Sequence, residues 1–207
     1  IQVSRDLLND RLQLMVGTFL MDEDVQWNQF GDFARGLFAL TGTDLTVNQF
    51  WDIDTTTAAA FVNLSLDLTD HLSVFGGFRW TEERKDFTTR HRRLESGEVF
   101  IPYTDLETDL SEPSYSAGIR YRWNDSVMTY VSTGSGFRSG GFNGRPLAPD
   151  ELLPYGPEFS DSYEAGLKAT LFDHRLQLNT AVFWNEYDDI QLTGVAANDT
   201  GGLRIFV

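Results

Sequence analysis

From Ser126 to Arg138 the chain changes character at every residue. Val127, Thr129, Val131, Thr133 and Phe137 fall on one side, and Ser132, Gly134, Gly136 and Arg138 on the other. Only an extended strand separates neighbours in this way, because its side chains point alternately to opposite faces. Residues Asp161–Leu171 repeat the pattern, with Tyr163, Ala165, Leu167, Ala169 and Leu171 opposite Ser162, Glu164, Gly166, Lys168 and Thr170. The Gly-, Pro- and Asn-rich connection between them is far longer than the two to five residues that normally turn a hairpin. A loop of that length implies a role beyond reversing the chain.

The same period recurs along the chain. Ala58, Ala60, Val62, Leu64, Leu66 and Leu68 alternate with polar or small residues, and so do Leu72, Val74, Gly76, Phe78 and Trp80. Tyr115, Ala117, Ile119, Tyr121 and Trp123 form a further set, and Leu176, Leu178, Thr180, Val182 and Trp184 another; Leu12, Leu14, Val16 and Leu20 mark an earlier strand. Tight turns are expected at Thr69–His71, Asn124–Ser126 and Phe172–Arg175, where Asn, Asp and Ser supply turn chemistry. Long polar stretches separate them. Asp22–Asp54 carries seven acids against one base, with a helical turn expected near Phe30–Leu40, and Glu82–Glu112 carries nine acids and five bases. Both are read as excursions away from the sheet. Ile190 and Leu192 are read as a strand extension, Val195–Thr200 as a loop and Gly202–Val207 as the start of another strand.

Short turns at one end and long loops at the other describe an asymmetric meander, and strands of about 10–13 residues are long enough to cross a bilayer at a tilt. One face is Leu, Val, Ala, Ile and Phe, ending in Trp80, Trp123, Trp184, Tyr121 and Tyr163, whose rings suit a headgroup boundary. The other face is Ser, Gly, Asn, Gln, Arg and Lys, poor filling for a small soluble barrel. The expectation is an all-β, antiparallel up-and-down transmembrane β-barrel, present as an incomplete arc of about 8–9 strands, since a sheet in lipid must close to satisfy its edges. A soluble β-sandwich or lipocalin-like barrel is the alternative, disfavoured by strand length and by the unequal loops. With 207 residues and a net charge of −15, the acidity argues against a nucleic-acid partner, whose phosphates need a basic surplus. There is no cysteine, and His71, His91 and His174 lack metal-ligand spacing, so no cofactor or metal is expected. The start at Ile1 and the strand broken off at Val207 read as a fragment.

At four places the residues resemble the barrel of TonB-dependent outer-membrane receptors. These are Gly77-Phe78-Arg79-Trp80-Thr81 with Lys85-Asp86-Phe87; Tyr130 with Gly136-Phe137-Arg138-Ser139-Gly140-Gly141-Phe142-Asn143; Pro157-Glu158 with Tyr163-Glu164-Ala165-Gly166-Leu167-Lys168; and Phe183 through Tyr187 to Ile190-Gln191. The resemblance implies residues 1–207 as part of a 22-stranded barrel whose plug domain lies outside this sequence. It also implies a place in the bacterial outer membrane among lipid and lipopolysaccharide. The function implied is uptake of a scarce small molecule, such as an iron-siderophore, cobalamin or glycan, with energy from the TonB complex. A passive porin or an outer-membrane barrel enzyme is the competing function.

Arg79, Arg120, Arg122, Arg138, Glu164 and Lys168 share the polar face. They are expected to grip the plug or line the ligand path, or else to form a hydrated ladder of cross-strand charges. Gly134, Gly136, Gly140 and Gly141 permit either close approach or positive φ. Arg90-His91-Arg92-Arg93 reads as a solvated loop among acids or as an anion contact, and Asp22–Asp24 with Asp52–Asp54 as a weak Ca²⁺ candidate. Glu82 and Glu83 point to opposite faces, wrong for a paired-carboxylate hydrolase. Ser135 lacks a nucleophile elbow. No enzyme is expected.

Overall fold

A computed structural model describes residues 1–32, 35–197 and 203–206, and in it the two-residue periods become one antiparallel sheet. The strands are β1 (Gln2–Leu7), β2 (Leu12–Asp32), β3 (Thr46–Asp67), β4 (Leu72–Arg93), β5 (Val99–Asn124), β6 (Val127–Arg138), β7 (Glu158–Leu171) and β8 (Leu176–Asp188). Each pairs with its neighbour in sequence, so the eight form an up-and-down meander that stays open, with β1 and β8 at its edges. A helix, α1 (Arg35–Thr41), joins β2 to β3. β9 (Gly194–Ala197) and β10 (Leu203–Phe206) make a separate two-stranded ladder.

One end of the sheet is all tight turns: Leu8–Arg11, Leu68–His71, Asp125–Ser126 and Phe172–Arg175. The first and last share a sequence pattern, Leu7-Leu8-Asn9-Asp10-Arg11-Leu12-Gln13-Leu14 and Leu171-Phe172-Asp173-His174-Arg175-Leu176-Gln177-Leu178. In each, three consecutive residues take positive φ: 54°, 56° and 66° at Leu8, Asn9 and Asp10, and 54°, 52° and 67° at Phe172, Asp173 and His174. Asn and Asp accept this region more readily than other side chains, and a left-handed reversal matches the strand twist.

The registers put whole rows of side chains on one face. Leu12, Leu66, Val74, Ile119, Val131, Ala165 and Val182 are successive cross-strand partners from β2 to β8. No core forms against this face: Leu64, Ile119, Val131 and Val182 are 41, 53, 62 and 78% exposed. Two girdles border it. Tyr121 and Trp123 meet edge-to-face near the turns, and Phe78, Trp80, Tyr115, Tyr163 and Trp184 stand exposed further up. Leu72 to Trp80 spans about 26 Å at ~3.3 Å per residue, close to the apolar band of a membrane barrel.

The long polar stretches are not excursions. β2 to β5 run for 21, 22, 22 and 26 residues, well past the lipid-crossing length, so Asp22–Asp32, Thr46–Asp54, Glu82–Arg93 and Val99–Glu112 are strand. Beyond the upper girdle no hydrocarbon demands apolar residues outside, so the hydrophobic alternation that betrays a strand fades while the ladder continues. Asp24, Asp54, Asp86 and Glu107 occupy one such outward row. The helix begins at Arg35, while Phe30–Asp32 remain in β2. Ile190 and Leu192 lie beyond β8, which ends at Asp188. β9 makes 195–197 strand where loop was expected; 198–200 of that loop, with Gly202 and Val207, lie outside the described residues.

Candidate functional site

The face opposite the apolar rows is built from small residues on which rings lie. A Cβ on Gly17, Gly118 or Gly166 would come within 2.5, 2.3 and 2.4 Å of the rings of Phe61, Phe75 and Tyr130 on the adjacent strand. Glycine is needed there because no other residue lets an aromatic ring lie flat across the strand. Cations sit over the rings: Arg120 over Phe75 and Arg79 over Phe19, both at 5.2 Å, and Lys168 over Tyr130 at 5.7 Å. The Tyr130 hydroxyl donates to Glu164. Arg122 reaches the Asp70 carbonyl at the turn. Among the described residues none of Arg79, Arg120, Arg122, Arg138 and Lys168 forms an ion pair; aromatic faces take the carboxylates' place at Arg79, Arg120 and Lys168.

The connection 139–157 between β6 and β7 does not hang outward. It folds as a strap over this polar face of β3, β4 and β5, above the girdle. Alternate residues of β4 hold it. Lys85 Nζ donates to Ser139 Oγ at 2.6 Å and to the Gly140 carbonyl at 2.8 Å. Lys85 is itself balanced by Glu83 at 3.0 Å, both side chains being about 15% exposed, and Glu83 accepts from Thr57. Phe87 stacks on Phe142 with ring centroids 4.9 Å apart and planes 8° from parallel. With Ile101 and Leu152 these two rings form the buried hydrophobic core, flanked by Trp51, Ile53, Phe100 and Leu106.

His91, fully buried, faces the Pro146 carbonyl through Nδ1 at 3.3 Å. A carbonyl only accepts, so the neutral ring carries its proton on Nδ1. Burial holds its pKa down at about 4, against a smaller upward pull from that carbonyl.

One or more residues of each of the four sequence motifs meet at the strap: Lys85, Ser139–Asn143, Pro157-Glu158 and Gln191. Gln191 Nε2 donates to the carbonyls of Ser139 and Gly156, both at 3.0 Å, clasping the strap's entry to its exit, while its backbone N–H donates to Glu158 at 2.8 Å. Gly141 and Tyr155 exchange backbone hydrogen bonds, and a Cβ on Gly140 would meet the Tyr155 carbonyl at 2.2 Å. Close approach of the chain to itself, not positive φ, is what Gly140 and Gly141 serve. Gly136 and Gly134 border Ser160 and the Tyr115 carbonyl more loosely. Phe137 pairs in register with Phe159, and Pro157 ends the strap.

Between the strap and β2, β3 and β6 lies a cavity of about 380 Å³. Trp27, Trp51, Arg138, Phe142, Asn143, Gly144, Arg145, Tyr155, Gln191 and Thr193 line it. Trp27 and Trp51 stack at 6.1 Å with planes 10° apart. The lining holds two guanidinium groups and no carboxylate, in a chain of net charge −15. Of the residues singled out by sequence, only Arg138 and the motif residues Phe142, Asn143 and Gln191 reach this cavity. Trp27, Trp51, Arg145 and Tyr155 escaped because the first two lie in the stretches where apolar periodicity fades. The presence of two tryptophans among so many acids was the available signal.

Arg90-His91-Arg92-Arg93 is strand, so its residues part: His91 goes inward under the strap, Arg90 and Arg92 are exposed, and Arg93 lies over Phe100 at 4.7 Å. Glu83 turns inward to Lys85 while Glu82 is exposed. Asp24, Asp52 and Asp54 bring carboxylate oxygens within 4.8 Å of one another on the outward face. Desolvation raises the Asp54 pKa first, and the charges of Asp24, Asp52, Asp86 and Asp22 add to it. With one oxygen from each, three carboxylates supply at most half of the six to eight oxygens that Ca²⁺ takes.

The family model described as TonB dependent receptor-like, beta-barrel matches residues 2–206. The chain belongs to the TonB-dependent receptor β-barrel family. The pesticin receptor of Yersinia pestis is 29% identical over 136 residues, which is 66% of this chain and 19% of that receptor. The ferric yersiniabactin uptake receptor of Yersinia pestis shares the fold with a TM-score of 0.78 at 19% identity, over 92% of this chain and 28% of that one. The ferric-catecholate import receptor of E. coli K12, in its open form, gives 0.64 at 14% identity over 90% of this chain and 29% of that one. The chain thus spans about a fifth of the curated relatives it matches. Within the TonB-dependent barrel, the strap and its cavity sit at the long-loop end, above the lipid rows.

Proposed function

We propose that the chain is the part of an outer-membrane uptake receptor that takes a ferric siderophore from the long-loop side of the sheet, with energy supplied through the TonB complex. The observation that carries this reading is the strap-walled cavity, where a pair of stacked indoles meets Arg138 and Arg145 with no acid among the lining residues. Stacked rings favour a flat aromatic ligand and paired guanidiniums an anionic one. An iron complex of phenolate or catecholate type has both properties. The names of the similar proteins, a ferric yersiniabactin receptor and a ferric-catecholate receptor, support the same class. Arg79, Arg120, Arg122, Glu164 and Lys168, lower on the same face, are proposed to contact the plug or the passing ligand, and lipopolysaccharide to surround the outward rows.

The test is binding and uptake of radiolabelled iron by the whole receptor, offered with a panel of siderophores. Trp51→Ala and Arg145→Ala are expected each to weaken binding roughly 10- to 100-fold, the loss of one stacking or charged contact of ~1.5–3 kcal/mol. Equal binding by wild type and both variants would contradict the reading. Steady ion conductance through the receptor in planar bilayers, with no uptake, would favour a passive porin instead.

A further inference from the structure

The long connection between β6 and β7 is built as a wall, and the residues that make it one are on β4. Lys85, Phe87 and His91 all face inward at two- and four-residue spacings. Each takes the next portion of the strap: Ser139 and Gly140, then Phe142, then Pro146. These contacts are of three different kinds: a charge-assisted hydrogen bond from a mostly buried lysine, a ring stack within the buried core, and a buried imidazole under a carbonyl. Pro146 is itself fully buried. Inside the strap, Glu151 accepts from the Leu147 N–H at 2.7 Å and Asn143 from the Arg145 N–H at 3.0 Å. The turn bearing Arg145 is therefore stiff, and its base is fixed at Phe142 and Pro146 on either side. At its tip, a Cβ on Gly144 would stand 3.1 Å from Trp51 Nε1, so a side chain there would press on the indole.

We infer that Lys85, Phe87 and His91 are positioning residues that keep residues 139–157 docked as a fixed inner wall, holding Arg145 and the Gly144 backbone against the Trp27–Trp51 pair. The alternative, a lid that lifts on each transport cycle, would have to break a buried lysine pair, a ring stack and an imidazole contact every time. The inference rests on the cavity being the ligand site only for its functional consequence; the docking itself is measurable without ligand.

Amide hydrogen exchange of the full-length receptor in nanodiscs tests it. The strap amides of Gly141, Leu147 and Tyr155 are expected to exchange at least about a hundredfold more slowly than that of the exposed Gly97 between β4 and β5. Lys85→Met and His91→Phe should each speed strap exchange about tenfold or more while β6 and β7 keep their protection, and Lys85→Arg should restore the slow rate. Strap amides as fast as Gly97 in the wild type, or unmoved by both substitutions, would overturn the inference. So would an equal loss of protection across β6 and β7, which would assign the anchors to the sheet as a whole. Titration with iron(III) bound to 2,3-dihydroxybenzoate adds the functional arm: Lys85→Met should weaken binding as Arg145→Ala does, with no further loss in the double variant. Faster strap exchange on adding this chelate would make the strap a lid and overturn the inference. If the wild type fails to bind it, the fault lies with the proposed ligand class, and the exchange rates still judge the wall.

Discussion

At the scale of single residues, the inner face is specified by pairs rather than by individual side chains. Gly166 is glycine because Tyr130 lies on it, and Tyr130 in turn offers Lys168 a ring face and Glu164 a hydroxyl. Gly118, Phe75 and Arg120 repeat the device one hairpin away. His91 is the residue whose chemistry has a direct solution readout. Its pKa in the folded strap, about 4, lies below the ordinary 6.5, so the undocked state binds a proton that the docked state does not. Stability of docking therefore has a flat maximum above pH 6.5, falls with a one-proton slope as pH drops from 6.5 towards 4, and levels off below that. Limited proteolysis of the strap across pH 4 to 8 should follow that curve in the wild type and lose the step in His91→Phe. A wild-type strap equally resistant at pH 4.5 and 7.5 would refute the burial of this ring.

At the scale of elements, what lipid touches was legible and what water touches was not. The rows through Leu64, Ile119, Val131 and Val182 announce their strands because hydrocarbon demands an apolar residue at every second position. In the upper halves of β2 to β5 both faces are wetted or strap-covered, so Asp52-Ile53-Asp54-Thr55 carries no such mark although it is paired on both sides. The strap site was half legible. Its roots coincide with the recognisable motifs, whose glycines and Gln191 serve close backbone contacts, whereas Trp27 and Trp51 become partners only through a 24-residue hairpin register that no local pattern encodes. The turns offer a test at this scale. Leu8 holds φ of 54° without the local hydrogen bonding that suits Asn to that region. Leu8→Asn is expected to raise stability by about 1 kcal/mol in urea unfolding of the receptor. A loss of stability would show that the Leu8 side chain is needed for packing at the turn.

At the scale of the molecule, the sheet has two chemically distinct faces and two open edges. The face without a core is apolar between its aromatic girdles apart from threonines such as Thr129 and Thr180. The face with polar walls carries the only buried hydrophobic cluster among the described residues, the one that docks the strap. A membrane barrel is the arrangement in which both make sense, since lipid covers the first and the strap or water the second. The edges at β1 and β8 then require further strands, in keeping with the share of its relatives that the chain spans. The direct test is spin labelling at each residue from Thr129 to Thr133 of the full-length receptor in bilayers, reading collision with oxygen and with a water-soluble nickel chelate. Labels at 129, 131 and 133 should be relaxed by oxygen and shielded from nickel, with 130 and 132 showing the reverse. Nickel access at 131 with oxygen access at 132 would turn the sheet inside out and contradict the account.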